Sequence, residues 1–334
     1  MNRFRNAFTV AIVALLGLWA VNATAAEGTA IKGDGGTIRL LLNQSGTQSF
    51  PPYVIRKLNL DQKYGFKLET VPATSTQSTT TGFQTGSAEI GMYGWNDLSR
   101  VKAGGVKVVG IAPFMGWANT VVLPIDSPIK NLGDVKGKKF GIYSRTSLDT
   151  VVMRALAQGK YKFDFEQSIV MQEASIPLLR GFMEQKQLDV SQMWNDQTAP
   201  MVVSGNFRVL ATIRDFGDEL GVPETPLLLY AVDTDYAAAH PNNVKAYLAA
   251  YREAIAYLES DDSAWFERGK ELNMNDEPTI VALRNQTRPM LMSRFKPTTE
   301  ADIRKTWSVL LATAGAEKLG MSDLIPGFMT LEYQ

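Results

Sequence analysis

The sequence predicts an α/β protein of two lobes, each an open, mostly parallel sheet flanked by helices, and three observations carry that expectation. Strand-like and helix-like segments alternate along the chain. The order β-α-β-α-β occurs twice, over residues 37–93 and again over residues 140–193. Further strand-like segments stand between the two halves and after the second. Parallel strands need crossover connections, and the intervening helices supply them.

Each element has a local reason. Thr37 to Leu42 mixes β-formers with apolar residues, a first strand ending at Asn43. The polar stretch Gln44 to Ser49 leads into Pro51-Pro52, a helix start, and the helix read over Tyr53 to Tyr64 closes at Gly65. Phe66 to Val71 reads as a second strand, Thr79 to Gly86 as a short helix and Glu89 to Tyr93 as a third strand. Val106 to Ala112 and Thr120 to Leu123 read as strands leading through Pro124 and Pro128 into the second half. There the order is strand Phe140 to Tyr143, helix Leu148 to Gln158 ended by Gly159, strand Ile169 to Met171, helix Pro177 to Gln185 and strand Val190 to Met193. Leu227 to Val232 is the return strand, so the chain is expected to cross between lobes near Gly116 to Thr120 and near Thr225 to Leu229. The expected division is residues 26–118 and 227–334 for the first lobe and residues 119–226 for the second. In the helical C-terminal third, Val244, Leu248, Tyr251, Ile255 and Leu258 form one apolar face behind Pro241, and Trp265, Phe266, Trp307 and Leu310 read as packing residues.

Composition removes several functions. Of 334 residues none is Cys and one is His, which excludes disulfides, thiolate metal sites, cysteine nucleophiles and two-His metal sites. A Ser-His-Asp triad would have to use His240, which stands before Pro241 at a helix start. At the N-terminus, Arg3 and Arg5 precede an apolar run from Val10 to Val21 and the small-x-small triplet Ala23-Thr24-Ala25. This is the pattern of a cleaved secretory signal peptide, residues 1–25, and the run is short for a bilayer span. With no Cys behind it, the mature protein is expected free in the periplasm, without a lipid anchor. The full chain carries 34 basic and 34 acidic residues, so losing Arg3 and Arg5 leaves a slight negative balance that does not recommend nucleic acid as a partner.

In open α/β sheets ligands bind beyond the carboxyl ends of the strands. The loops expected there hold Gln44 and Ser45 after the first strand, Thr76 and Gln77 after the second, and Gly94-Trp95-Asn96-Asp97 after the third. Their counterparts are Ser144-Arg145-Thr146-Ser147, then Glu173-Ala174-Ser175, then Trp194-Asn195-Asp196-Gln197. A hydroxyl residue capping a helix beside an arginine suits an oxyanion, which nominates Arg145, Thr146 and Ser147 for an anionic head. Ser45, Thr76, Gln77 and Asn195 are nominated for hydrogen bonds. Trp95, Trp117 and Trp194 stand at loops and at a crossing, where they could wall a cleft against an organic body. Asp97, Glu173 and Asp196 would instead support a cationic head, although acids at such places often cap helices. The charge of the ligand stays open at this stage.

The stretch Pro128-Ile129-Lys130-Asn131-Leu132-Gly133-Asp134-Val135-Lys136-Gly137-Lys138-Lys139-Phe140-Gly141-Ile142-Tyr143, followed by Ser144 to Ser147, resembles a segment of periplasmic solute-binding proteins. His240-Pro241-Asn242-Asn243-Val244-Lys245-Ala246-Tyr247-Leu248 resembles a helix of the nitrate, sulfonate and taurine group, which includes binders of thiamine-pyrimidine precursors. The resemblance implies the type II-like two-lobed fold with two hinge crossings, a ligand in the cleft, no cofactor, and a partner membrane permease of an ABC importer. On this basis the chain is expected to be a monomeric receptor for a small organic anion, sulfonate or carboxylate, with a pyrimidine-like heterocycle or an amine as the alternative. A signalling receptor is a further alternative. The enzyme alternative, a pyridoxal-dependent thiamine-precursor synthase, fits poorly with an export signal and a single His.

Overall fold

The computed structural model describes residues 31–334. The expected signal peptide lies outside the described residues. The first half runs β1 (Thr37–Leu42), α1 (Phe50–Lys57), α2 (Leu60–Lys63), β2 (Lys67–Pro72), α3 (Thr76–Gln84), β3 (Ile90–Gly94), α4 (Trp95–Ala103) and β4 (Val108–Met115). The second runs β5 (Thr120–Pro124), β6 (Lys139–Ile142), α5 (Leu148–Gly159), α6 (Phe165–Ser168), β7 (Val170–Glu173), α7 (Ile176–Glu184), β8 (Val190–Met193), α8 (Asn195–Val203), β9 (Phe207–Thr212) and α9 (Ile213–Glu219). The chain returns through β10 (Leu228–Asp233) to α10 (Thr234–Ala239), α11 (Pro241–Ser260), α12 (Ser263–Glu271), α13 (Glu277–Thr287), α14 (Thr299–Ala314) and α15 (Ala316–Leu319).

Two five-stranded sheets result, ordered β2-β1-β3-β10-β4 and β7-β6-β8-β5-β9. In each, four strands run one way and the fifth, β10 or β5, runs against them. Those two antiparallel strands are the ones that follow a passage between sheets. β1 sits inside its sheet, and Ile38, Leu40, Leu41 and Leu42 are buried on both faces, as a covered parallel strand requires.

The elements differ from expectation in a few places. The helix read over Tyr53 to Tyr64 is broken at Asn59, whose left-handed backbone (φ 52°) an Asn side chain tolerates. The loops read after the third strands are the first turns of α4 and α8. Neither announces itself by a capping side chain, and α8 carries Pro200 inside it. The first-lobe assignment of residues 227–334 omits two contacts: α13 packs on α8 and α14 on α5. Asn195 Nδ2 donates to Thr287 Oγ1 at 2.8 Å, Arg154 Nη1 donates to the Lys318 carbonyl at 2.8 Å, and Lys318 pairs with Asp164. A single apolar cluster runs from Trp95 and Leu98 through Trp307 to Val151 and Leu156 of α5. Of the C-terminal helices, α13 and α14 thus also touch the second lobe, while α11 and α12 pack on α1.

Candidate functional site

The carboxyl ends of β1, β3, β6 and β8 converge on one cavity of about 130 Å³. Leu42-Asn43, Tyr93-Gly94, Tyr143 and Trp194 reach it from those strand ends, Thr74 from the loop after β2, and Met115, Asn119, Leu227 and Leu228 from the crossings. An engineered cavity of roughly 150 Å³ holds a benzene molecule. This one therefore suits a ligand of about half a dozen non-hydrogen atoms, with its open mouth extending the space. The lobes are drawn together around it. Asn96 Nδ2 donates to the Thr146 carbonyl at 2.9 Å, and the Tyr143 hydroxyl donates to the Thr74 carbonyl at 3.3 Å. Asp196 Oδ1 lies 3.9 Å from where a Cβ on Gly46 would stand.

Four helices begin at the cavity. Ser75 caps α3, its side chain accepting from the Ser78 N–H in a capping box, and Ser147 caps α5 by accepting from the Thr150 N–H. By contrast α4 and α8 start without a side-chain cap, although the Gln197 N–H in the first turn of α8 already donates to the Trp194 carbonyl at 2.9 Å.

Three carboxylates share the same space. Asp97 binds Arg100 at 2.5 Å and accepts from Thr76 Oγ1 at 3.2 Å; burial nevertheless holds its carboxyl above the usual range. Asp196 is buried and raised for the same reason, and its bonded neighbour is the neutral Gln197 amide at 3.1 Å. Asp149 is 3% exposed, and burial pushes its carboxyl up to about 6. Its Oδ2 accepts from Asn119 Nδ2 at 2.8 Å and Gln192 Nε2 at 2.5 Å, while its Oδ1 has no partner. Among the described residues, no Lys or Arg pairs with Asp149 or Asp196. The apolar wall is Trp194, tilted against Tyr143 with ring centroids 5.0 Å apart.

Of the residues nominated from sequence, Thr76, Asp97, Ser147, Trp194, Asn195 and Asp196 line this cavity. The others do not. Gln44 Nε2 turns back to Thr70, and Ser45 bonds Asn43. Gln77 faces Thr81 on the helix surface. Trp95 is fully buried with its ring edge-on to Trp307 at 6.0 Å. Trp117 is a core residue lying against Gly217, where a Cβ would come within 2.8 Å of the ring, with the Arg214 guanidinium over its face. Arg145, half-exposed, points to Glu166 at 3.5 Å and Glu173 at 3.3 Å, and Thr146 contributes only the carbonyl that Asn96 holds. Glu173 is exposed beside Arg145. The lone histidine, His240, is exposed and stacks on Tyr236 away from the cavity.

Sequence reading passed over Asn119, Tyr143 and Asp149. Tyr143 reads as the last strand residue, although it stands where the sheet opens to the cleft. Asp149 had a detectable signal: it shares a helix face with Val152, Met153 and Leu156, so a carboxylate there is carried inward with the apolar side chains. Its place in the first turn of a helix supplies an ordinary dipole explanation that masks this.

Comparison with known proteins agrees with this architecture. A family profile described as "NMT1/THI5 like" matches residues 47–263. A protein of Escherichia coli (strain K12) named "Putative aliphatic sulfonates-binding protein" is 26% identical over 177 residues, 52% of each chain. A binding protein of Brucella abortus (strain 2308) is 27% identical over 195 residues, 58% of each. The chain thus spans about half the length of the curated relatives it matches. Among solved structures, the periplasmic aliphatic sulphonate binding protein SsuA of Escherichia coli superposes with a TM-score of 0.69 at 17% identity, covering 86% of this chain and 92% of that one. The alkanesulfonate-binding SsuA of Xanthomonas axonopodis pv. citri bound to MOPS gives 0.70 at 16% identity, covering 90% and 99%. These share the two-lobed periplasmic binding protein fold. With that fold, and a profile matching more than half of its length, the chain belongs to the NMT1/THI5-like family.

Proposed function

We propose that this protein is the periplasmic solute-binding component of an ABC importer, acting as a monomer that closes two lobes on a small organic solute and presents the closed form to a membrane permease. The observation that carries the reading is the single cavity at which strand ends of both sheets and four helix N-termini meet. No covalent chemistry is needed. A solute stabilises the closed form by its differential affinity for it, and bonds from Asn96 and Tyr143 span the gap. β4 ends at Met115 and β5 begins at Thr120, while α9 ends at Glu219 and β10 begins at Leu228, which supports lobe boundaries near residues 118 and 227.

The uncapped N-termini of α4 and α8, together with the names of the relatives, support a sulfonate or carboxylate on the solute. The second reading, an amine or a pyrimidine-like heterocycle, is favoured by Asp149 and Asp196 in the wall. In either case Thr76, Ser147, Trp194 and Asn195 are the nominated residues that contact it, joined by Asn96, Tyr143 and Asp149. Isothermal titration against a panel of sulfonates, carboxylates, amines and pyrimidines tests the assignment. Saturable one-to-one binding by a member of the panel is the expected result, and absence of binding by every class would count against a receptor.

A further inference from the structure

We propose that α14 and α15 travel with the second lobe when the lobes part, so that the chain crosses the hinge four times rather than twice. The inference rests on the lobe closure proposed above and adds a third moving segment, residues 299–319, to the body formed by residues 119–226.

Directional bonds tie this segment and its flanks to different lobes. α14 lies along α5, and a Cβ on Gly159 at the end of α5 would stand 3.3 Å from Thr313 Cγ2. Arg154 of α5, 3% exposed, donates through Nη1 to the Lys318 carbonyl at 2.8 Å, and the Lys318 ammonium pairs with Asp164 just ahead of α6. The flanks are bonded to the first lobe instead. The Gly116 N–H donates to the Met290 carbonyl at 2.8 Å, the Met292 N–H to the Phe114 carbonyl at 2.9 Å, and the Tyr251 hydroxyl to the Met292 carbonyl at 2.6 Å. Beyond α15, the Ile325 N–H donates to Ser99 Oγ at 2.8 Å, the Gly110 N–H to the Phe328 carbonyl at 2.9 Å, and the Thr330 N–H to the Gly110 carbonyl at 2.8 Å.

Residues 293–298 and 320–324 are then the added crossings. Among the described residues, their backbones hydrogen-bond only to themselves, α14 and α15. A segment free of bonds to either lobe absorbs the dihedral change of a hinge. The first of them runs beside the other two crossings: a Cβ on Gly116 would lie 3.4 Å from Met292 Cε and 3.9 Å from Glu224 Oε1, and Lys296 pairs with Glu224 at 4.0 Å. What α14 turns toward the first lobe is ring contact. Trp307 meets Trp95 edge-on at 6.0 Å with neither indole N–H bonded, and the Arg304 guanidinium lies 5.7 Å over the Phe328 ring. Apolar burial is non-directional, and packed helices slide across it in small shear steps.

The chain has no cysteine, so introduced cysteines at exposed positions take spin labels without further change. Three pairs, measured by double electron–electron resonance, give the readout: Gln77→Cys with Gln172→Cys across the lobes, Ser308→Cys with Gln158→Cys from α14 to the second lobe, and Ser308→Cys with Ala103→Cys from α14 to the first. Each is measured in the otherwise unaltered chain, with Tyr143→Phe, and with Asn96→Ala added to it, which successively remove the bonds across the gap. Weakened closure is expected to lengthen the first pair by more than about 2 Å, to shift the Ser308–Ala103 distance and to leave Ser308–Gln158 unchanged. Any other pattern beside a lengthened first pair, above all a constant Ser308–Ala103 distance, overturns the inference and leaves the closure reading standing. A first pair that stays constant in every form that keeps its circular dichroism spectrum takes down both.

Discussion

The tripeptide Trp-Asn-Asp occurs twice, at residues 95–97 and 194–196, each time where the third βα unit of a sheet opens a helix, and the two copies meet different fates. In the first, Trp95 turns into the core against Trp307, and Asp97 has Arg100 one turn along its helix. In the second, Trp194 stays at the cavity wall beside Tyr143, and the residue one turn beyond Asp196 is the buried Ala199. Both asparagines reach away from their own helix, Asn96 to the Thr146 carbonyl of the second lobe and Asn195 to the Thr287 hydroxyl of α13. Topology places each copy at the cleft, and the neighbours three residues on and across the gap decide whether it packs, pairs or faces a ligand.

The comparison can be broken most sharply at the tryptophans. Trp95→Ala empties a core site and is expected to cost about 3–5 kcal/mol in urea unfolding. Trp194→Ala should cost about 1 kcal/mol or less and instead weaken solute binding by roughly tenfold. Similar stability losses for both would mean that the second tryptophan also belongs to the core.

Asp149 gives the next effect. Its carboxyl titrates near 6 in the folded protein, above the value near 3.8 it takes elsewhere, so the folded state binds the proton more tightly. Stability from this group is then greatest below the unfolded value and falls as pH rises through about 6, by about 2–3 kcal/mol in the ligand-free protein. Asp149→Asn should remove that decline, so unfolding at pH values on either side of 6 should show the variant gaining on the wild type as pH rises. A smaller loss, about 1–2 kcal/mol, is expected for Arg100→Met, which leaves the mostly buried Asp97 without its cation. The smallest is Arg145→Ala. Its pairs with Glu166 and Glu173 are solvent-facing, and both stability and solute affinity should stay within about 0.5 kcal/mol of the wild type.

Most of the scaffold was legible because its strands and crossover helices alternate with clear turn residues: β1 and β8 coincide with the expected segments, and α5 starts at Leu148 as its Ser147 cap suggests. The site was legible as a place more than as a set of residues. Loop position identifies which strand ends reach the cleft, but whether Gln44 faces the cavity or Thr70, and whether Arg145 meets a ligand or two glutamates, depends on side-chain partners distant in the chain. Tryptophan is the clearest case, since a fully buried ring and a cavity wall have the same local sequence around them at residues 95 and 194.

The most direct test of the cleft as the solute site is native mass spectrometry of the protein purified without denaturation, beside a Thr76→Trp variant that fills the cavity from the start of α3. One small molecule per chain in the wild type, absent from a variant that keeps its circular dichroism spectrum, is the predicted result. The same adduct retained at full occupancy with the cavity filled would contradict it.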